Sequence, residues 1–368
     1  MRLVLFIGSL KKGGSERVIA NIADFMAERG HCVTLLTQYS FDDEFALNKN
    51  VKRCLTDIAK EEVTKSRIVN FYRRFMKLYR SIRREKPDAV LSFIGTNNLM
   101  AILTTKFMPY GGKRPKVVVS ERGDPDFTYP TRLLKFLARF LFCFADLVVL
   151  QTGGSRDFFP AKVNKKSVIL RNPVNQKFFR PRFEGEREKT IVSVGRIDEN
   201  KNQRLLLQAF SKLAGTYPDY QLIIYGEGNL KETLKQEADI LGLAERIKFP
   251  GKSSTVEEDI YKAGIFVLSS DTEGSPNSLI EAMLLGLAVI STDCPSGGPK
   301  ELIKHGYNGL LTPPKDLDKL TENLQYMLSN FQMAAEMGRN AAKLQKDFDP
   351  DIVYGAWEEI LRSDSCGN

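Results

Sequence analysis

One rhythm constrains this chain more than any other feature. Short apolar runs alternate with longer polar stretches in which apolar residues recur at helical spacing. The first series of runs is Leu3–Ile7, Val33–Thr37, Ala89–Phe93, Val117–Ser120, Leu147–Gln151 and Val168–Leu170. A second series is Ile191–Val194, Leu222–Tyr225, Ile247–Phe249, Phe266–Leu268 and Val289–Ser291. Strand, helix, strand in repetition predicts parallel sheets, because each crossover lays its helix across a sheet face. Between the two series lies Asn172-Pro173 and a charged stretch to Lys189 with no strand signal. The predicted organisation is an α/β protein with two doubly wound domains: 1–172, a linker 173–189, a second domain 190–348, and a C-terminal segment 349–368. From Asp316 onward the chain reads as helix, closing with Asp351–Leu361.

A chain of 368 residues can bury two cores. Its charge is unevenly spread. Residues 1–172 hold 31 Lys and Arg against 16 Asp and Glu, an excess of +15, and the remainder holds 23 against 29, which is −6. A basic half suits anionic lipid, nucleic acid or a polyphosphate ligand. No helix-turn-helix, zinc-finger or RNA-binding signature accompanies it, so no nucleic-acid partner is expected. The five cysteines (Cys32, Cys54, Cys143, Cys294, Cys366) show no paired spacing and read as reduced thiols of a cytosolic protein. Met1 to Gly8 reads as a strand entering a glycine loop rather than a secretory leader. No apolar run approaches the roughly 20 residues that span a bilayer. Leu133 to Leu150 comes nearest and is broken by Lys135, Arg139 and Asp146. The expectation is a soluble or peripheral protein.

The chemistry concentrates in residues 266–281. An apolar strand ends in a turn at Gly274, Ser275 and Pro276, and a helix follows that Asn277 or Ser278 can cap. Glu273 then sits above the strand's carboxyl end, and Glu281, with seven residues between, lies about one turn into the helix on the same side. In an open α/β sheet that edge bears ligands. Two carboxylates with backbone N–H groups between them suit a hydroxyl-rich ligand that carries phosphate, a nucleotide sugar.

Glycine turns fall at the same edge. Gly8 to Arg17, with Gly13 and Gly14, follows the first strand and opens the first helix, a place for phosphate or for an ordinary strand-to-helix turn. Gly195-Arg196 to Lys201-Asn202 follows the first strand of the second domain. One planar fork and one point charge there suit a diphosphate, although two solvated loop charges would look the same. Gly226-Glu227-Gly228 can lie against a base or phosphate, or form a plain turn. Ser296-Gly297-Gly298-Pro299-Lys300-Glu301 follows a further strand and begins a helix.

Taken together, strand–Gly-Arg–Lys, then Gly-x-Gly, then the two glutamates ahead of Gly-Pro-x-Glu resembles the retaining GT-B glycosyltransferases. More narrowly, it resembles the group 1, family 4 enzymes of bacterial surface-glycan assembly that transfer N-acetylgalactosamine, galactose or mannose. The resemblance runs over nearly the whole chain. It implies two Rossmann-like domains facing a central cleft, with the nucleotide-sugar donor held by the second and the acceptor mostly by the first. The last helix would cross back to the first domain. Arg196 and Lys201 would neutralise the donor diphosphate, Glu281 would take the ribose hydroxyls and Glu273 the sugar hydroxyls. Backbone around Gly274, Ser275, Pro276 and Asn277, running into Ser278 and Leu279, would hold sugar and distal phosphate, with Gly195, Gly226 and Gly228 beside it. Gly13 and Gly14 would press on the diphosphate from the first domain. Many relatives carry a histidine where this chain has Arg122, within Ser120-Glu121-Arg122-Gly123-Asp124-Pro125. Glu121, Arg122 or Asp124 is then expected to handle acceptor or leaving phosphate, with a Glu121–Arg122 structural ion pair as the alternative.

Such a reaction passes through an oxocarbenium-like state while the nucleoside diphosphate departs, so cations and N–H dipoles aimed at the leaving charge supply catalysis. No clustered His or Cys are present, so no metal and no cofactor beyond the donor are expected. A hydrolase pair of glutamates is disfavoured by the cations around the cleft. With no obvious covalent nucleophile, front-face displacement assisted by the leaving phosphate is expected.

Residues 63–86 carry Ile68, Phe71, Phe75, Leu78 and Ile82 at helical spacing, with Arg67, Arg74, Lys77, Arg80, Arg83 and Arg84 over the remainder. A basic amphipathic helix can rest on an anionic membrane, grip a pyrophosphate, or simply pack on its own sheet. Leu133–Phe144 repeats the mixture. The expected acceptor is a polyprenyl-diphosphate-linked saccharide, met by a cytoplasmic protein peripheral at the inner face of the plasma membrane. Ser275, Pro276 and Asn277 point to a UDP-linked N-acetylhexosamine or hexose as donor. The alternatives are a nucleotide-sugar epimerase of the same fold, which needs further acid/base residues, and a non-catalytic sugar-nucleotide-binding protein.

Overall fold

The computed structural model describes residues 1–58 and 63–362. Cys366 lies outside the described residues, as does the end of the expected C-terminal segment. The chain divides into two compact units, Met1–Pro173 with the segment from Asp351 on, and Val174–Pro350.

The first unit holds a seven-stranded parallel sheet: β1 (Arg2–Ile7), β2 (Cys32–Thr37), β3 (Lys52–Leu55), β4 (Ala89–Phe93), β5 (Lys116–Ser120), β6 (Leu147–Leu150) and β7 (Ser167–Ile169). Their order across the sheet is β3-β2-β1-β4-β5-β6-β7. The central strands are buried almost throughout, because helices cover both faces, which is why they read as continuous Val, Ile and Leu. From Asp351 on, the helix Pro350–Arg362 belongs to this unit. Its Val353, Trp357 and Leu361 join the core of β1, β2 and β4, with the Trp357 ring 5.6 Å from that of Phe93. Glu358 fixes its outer side, accepting from Arg29 Nε at 3.2 Å and lying 3.0 Å from His31 Nε2.

The second unit holds a six-stranded parallel sheet: β8 (Glu188–Val194), β9 (Gln221–Tyr225), β10 (Ile247–Gly251), β11 (Ala263–Leu268), β12 (Ala288–Thr292) and β13 (Leu310–Thr312). Its order is β10-β9-β8-β11-β12-β13. Apolar layers lie on either side, one around Leu206, Phe210 and Leu324, the other around Phe266, Ile280 and Met283.

Two strands escape the periodicity. β3 is an edge strand, Lys-Arg-Cys-Leu, half exposed, so no apolar alternation marks it. β13 is three residues long at the other sheet's edge. Both sheets reverse direction of growth at their centre, between β1 and β4 and between β8 and β11. At such a switch point neighbouring loops leave the sheet on opposite sides and open a crevice.

Candidate functional site

β8 and β11 pair in parallel, with Ile191 against Ile265 and Val192 against Phe266, so the loops that follow them emerge together. The loop after β8 is Gly195 to Asn202. Asn202 closes it in the left-handed region (φ 46°), which Asn tolerates better than most residues. Within it Lys201 N donates to Asp198 Oδ1 at 3.0 Å. The loop after β11 carries Glu273. Lys201 Nζ donates to Glu273 Oε1, and Ser270 Oγ donates to the same oxygen at 2.7 Å. Both charged side chains are mostly buried, 17% and 12% exposed. A cation and a carboxylate named separately from the sequence therefore form one pair.

Arg196 stands on the same loop with a side chain 70% exposed, its guanidinium 3.3 Å from Asp198 Oδ2. Its carbonyl accepts from Gln203 Nε2 at 2.7 Å, which ties the loop to the next helix. The glycines beside this loop answer to the chain's own backbone. A Cβ on Gly226 would stand 1.8 Å from the Gly195 carbonyl oxygen, and one on Gly228 would stand 2.0 Å from that of Ile197. The loop after β9 can pack on the loop after β8 only without side chains there.

Glu273 is held from behind as well. Ser296 Oγ donates to its carbonyl, and a Cβ on Gly298 would fall 1.6 Å from the Gly274 carbonyl oxygen. Cys294 lies below, buried, its thiol pushed up to about 12 by desolvation and thus inert. The helix that follows is Asn277–Leu284. Here the expected cap is corrected: Pro276 is the N-cap residue, and no side chain of that residue caps the helix. Proline presets the extended entry but offers no side-chain acceptor, and its carbonyl accepts from Leu279 N and Ile280 N, each at 3.1 Å. Ser278 and Leu279 sit in that first turn, and Glu281 is buried one turn on, 4% exposed.

In the first unit Gly13 is the N-cap of the helix Gly14–Glu28, again with no side-chain cap, and Lys12 pairs with Asp43 at 2.6 Å. Across the switch point β4 is followed by Ile94 at φ 68°, an uncommon value for a β-branched residue, and then by Gly95 at φ 50°.

Glu121 and Arg122 stand on the loop that follows β5. Both are buried there. No ion pair joins them among the described residues. Glu121 Oε2 accepts from Tyr129 Oη at 2.8 Å, and desolvation lifts its carboxyl to about 7. Arg122 stacks its guanidinium 4.6 Å from the Phe93 ring centre and donates through Nη2 to Asn172 Oδ1. Its Nε and Nη1 are buried without a hydrogen-bond partner, and burial lowers it to about 9. Asp124 caps the short helix Pro125–Thr128, accepting from Asp126 N at 2.9 Å.

The basic segment forms the helix Arg67–Glu85, N-capped by Ser66. Its apolar face is only half used. Leu78, Tyr79 and Ile82 are buried, whereas Ile68, Phe71 and Tyr72 stand exposed. Not all its cations are available: Arg74 Nε donates to Asp57 Oδ1 at 2.8 Å, and Lys77 reaches the Asp57 carbonyl. Arg83 Nη1 lies 3.4 Å from Tyr79 Oη, Arg84 pairs with Glu85 at 3.3 Å, and Arg67 and Arg80 lie on the same helix. A second amphipathic helix, Arg132–Leu141, exposes Leu133, Phe136 and Phe140. Among the described residues no helix is long and apolar enough to cross a membrane. Among the described residues, no group of three or more His, Cys, Asp or Glu is placed to hold a metal ion.

Sequence reasoning missed the polar frame of the site: Ser270, Asp271, Thr272 and Asn200. Their signal is a cluster of small polar residues at the carboxyl ends of two strands that share a switch point.

Residues 174–344 match the family model described as glycosyl transferases group 1, and residues 12–178 match that of glycosyltransferase family 4. Two relatives from Campylobacter jejuni are each 26% identical. One is a GalNAc-alpha-(1->4)-GalNAc-alpha-(1->3)-diNAcBac-PP-undecaprenol alpha-1,4-N-acetyl-D-galactosaminyltransferase, with 98% of each chain covered. The other is an N-acetylgalactosamine-N,N'-diacetylbacillosaminyl-diphospho-undecaprenol 4-alpha-N-acetylgalactosaminyltransferase, covering 95% of this chain and 96% of the relative. Among solved structures, Anabaena Alr3699/HepE in complex with UDP aligns at a TM-score of 0.81 and 18% identity, covering 98% of this chain and 99% of that one. The fold is that of the GT-B proteins.

Proposed function

The chain belongs to the group 1, family 4 glycosyltransferases, and from that premise we propose that it moves a sugar from a nucleotide sugar to a lipid-linked saccharide in surface-glycan assembly. The donor is a UDP-linked N-acetylhexosamine or hexose, the configuration at the transferred carbon is retained, and no metal takes part. The observation that carries this reading is the Lys201–Glu273 pair at the β8/β11 switch point, with Arg196 on the same loop and the start of the helix Asn277–Leu284, entered through Pro276, in the loop that follows Glu273.

Each part has a task. Lys201 and Arg196 oppose the charge that grows on the departing diphosphate, and the amides after Gly274 add fixed dipoles aimed at the distal phosphate and sugar. Glu273 orients the sugar through its hydroxyls while keeping Lys201 in place. Glu281 receives the ribose. With two cations at the leaving group, the acceptor hydroxyl attacks from the face that the diphosphate leaves, and the leaving phosphate oxygen takes its proton.

The acceptor reading rests on the relatives' undecaprenol-linked substrates and on this chain's basic, aromatic helices. Leu133, Phe136 and Phe140 stand exposed among Arg132, Lys135 and Arg139, and the Phe140 and Phe144 rings lie 5.2 Å apart. That arrangement suits the interface of an anionic membrane.

The test is a panel of nucleotide sugars, scored by thermal shift and by transfer to an undecaprenyl-diphosphate-linked saccharide. Stabilisation by UDP and one UDP-sugar, with transfer retaining the anomeric configuration in the presence of a chelator, is the expected result. Binding with release of an isomerised nucleotide sugar would indicate an epimerase. Binding without any turnover would indicate a sugar-nucleotide-binding protein.

A further inference from the structure

Lys201 and Glu273 belong to two different loops, and the pair is only as well placed as the loops are relative to each other. Five hydrogen bonds join these loops beyond the ion pair itself. Asn200 Nδ2 donates to the Thr272 carbonyl at 3.0 Å, and Thr272 Oγ1 donates back to Asn200 Oδ1 at 2.6 Å. Asp271 N donates to the Asn200 carbonyl at 2.7 Å, and Asn202 Nδ2 donates to Asp271 Oδ1 at 2.9 Å. Ser269 Oγ adds a bond to the Lys201 carbonyl at 3.0 Å. Lys315 Nζ, in the loop after β13, lies 3.3 Å from Asp271 Oδ2.

Asn200 and Thr272 each use both a donor and an acceptor in this exchange, so neither has an apolar substitute that preserves it. Asn202 closes its loop in the left-handed region and spends its side-chain amide on Asp271. The contacts lie on the immediate neighbours of Lys201 and Glu273 in sequence, so slippage of either loop moves a charged group directly. A 1 Å displacement of a charge-stabilising group is enough to cost much of a rate.

We propose that Asn200 and Thr272 are positioning residues. They fix the loop bearing Arg196 and Lys201 against the loop bearing Glu273, and thereby select a nucleoside diphosphate over a monophosphate. This rests on the functional reading above. Neither residue touches the reacting atoms in this account; each acts through Lys201 and Arg196.

The experiment measures the affinities of UDP and UMP, with GDP and GMP alongside, for the full chain and for Asn200→Ala, Thr272→Val and Thr272→Ser. Thermal unfolding without ligand is recorded for each. The wild type is expected to prefer the diphosphate. Asn200→Ala and Thr272→Val should reduce that preference by roughly tenfold, the worth of one or two lost hydrogen bonds, while monophosphate affinity stays within about twofold. Thr272→Ser keeps the hydroxyl and should restore the preference. A purely structural role would lower both affinities together and leave their ratio unchanged, and that result overturns the proposal. Should Asn200→Ala fail to fold, Thr272→Val, which removes one hydroxyl at constant shape, decides it alone. A wild type without preference for any diphosphate would overturn the functional reading, and the inference with it; that failure is distinguishable because it precedes any substitution.

Discussion

The Lys201 ammonium donates to the Glu273 carboxylate across a sequence separation of 72 residues, and Ser270 Oγ shares the same carboxylate oxygen. Parallel pairing of β8 with β11 makes this possible, since it brings the loops after both strands to one point of the sheet edge. Neither charge is fully solvated, so each depends on the other for its electrostatic balance. Removing one should harm the site about as much as removing both. Lys201→Met and Glu273→Gln are each expected to lower kcat/KM about a hundredfold, with the double variant no worse than about threefold beyond the poorer single. Steady-state transfer kinetics on the four proteins check this. Fully additive losses would mean that the two side chains act independently.

Backbone approach, rather than ligand approach, explains the glycine at 226. Gly226→Ala places a Cβ 1.8 Å from the Gly195 carbonyl oxygen, whereas Gly195→Ala meets nothing closer than Lys201 Cε at 3.5 Å. The first substitution should cost about 1–3 kcal/mol and displace the Arg196 loop; the second should be tolerated to within about 1 kcal/mol. Chemical denaturation of the two variants provides the comparison.

Much of the fold was legible because the strands are buried on both faces and leave continuous apolar runs in the sequence. β3 was not, since its Lys52 and Arg53 sit at an exposed edge where no alternation is required. The site was legible as separate residues. Gly195, Arg196, Lys201, Glu273 and Glu281 stand out by type and spacing, but spacing along a chain does not reveal that Lys201 meets Glu273, or that Asn200 and Thr272 brace them. Those are consequences of strand order. The cap was misread because a proline before Asn277 presets the helix entry without supplying an acceptor. Burial of Glu121 and Arg122 was not legible either, since they follow β5 on a loop whose side chains turn inward to Tyr129 and Phe93.

That burial has a pH signature. Desolvation raises the Glu121 carboxyl to about 7, so the folded chain holds a proton that the unfolded chain has released above its usual value near 4.5. The native state binds more protons across that window, and its stability falls as pH rises from about 4.5 to 7, by at most about 1.4 kcal/mol per pH unit from this group. Glu121→Gln should flatten that slope and gain stability relative to the wild type towards pH 7. Denaturant midpoints of both proteins between pH 4.5 and 8 report it; parallel curves would contradict the assignment.

The aromatic face of the helix Arg132–Leu141 predicts a lipid dependence. Phe136 and Phe140 stack in near-parallel orientation, 6.2 Å apart and exposed. Flotation with vesicles containing anionic lipid should recover the protein, and neutral vesicles should recover less. Phe136→Ser together with Phe140→Ser should reduce recovery about tenfold without altering donor binding. Equal recovery by wild type and variant would remove this helix from the membrane reading.

The central claim is that one sheet edge grips a diphosphate through Arg196 and Lys201, and equilibrium binding of UDP to the wild type, Arg196→Ala and Lys201→Ala tests it most directly. The account predicts that the wild type binds and that each variant loses tenfold or more, on the order of 1.4 kcal/mol, while UMP affinity barely changes. Undiminished UDP binding by both variants would contradict it.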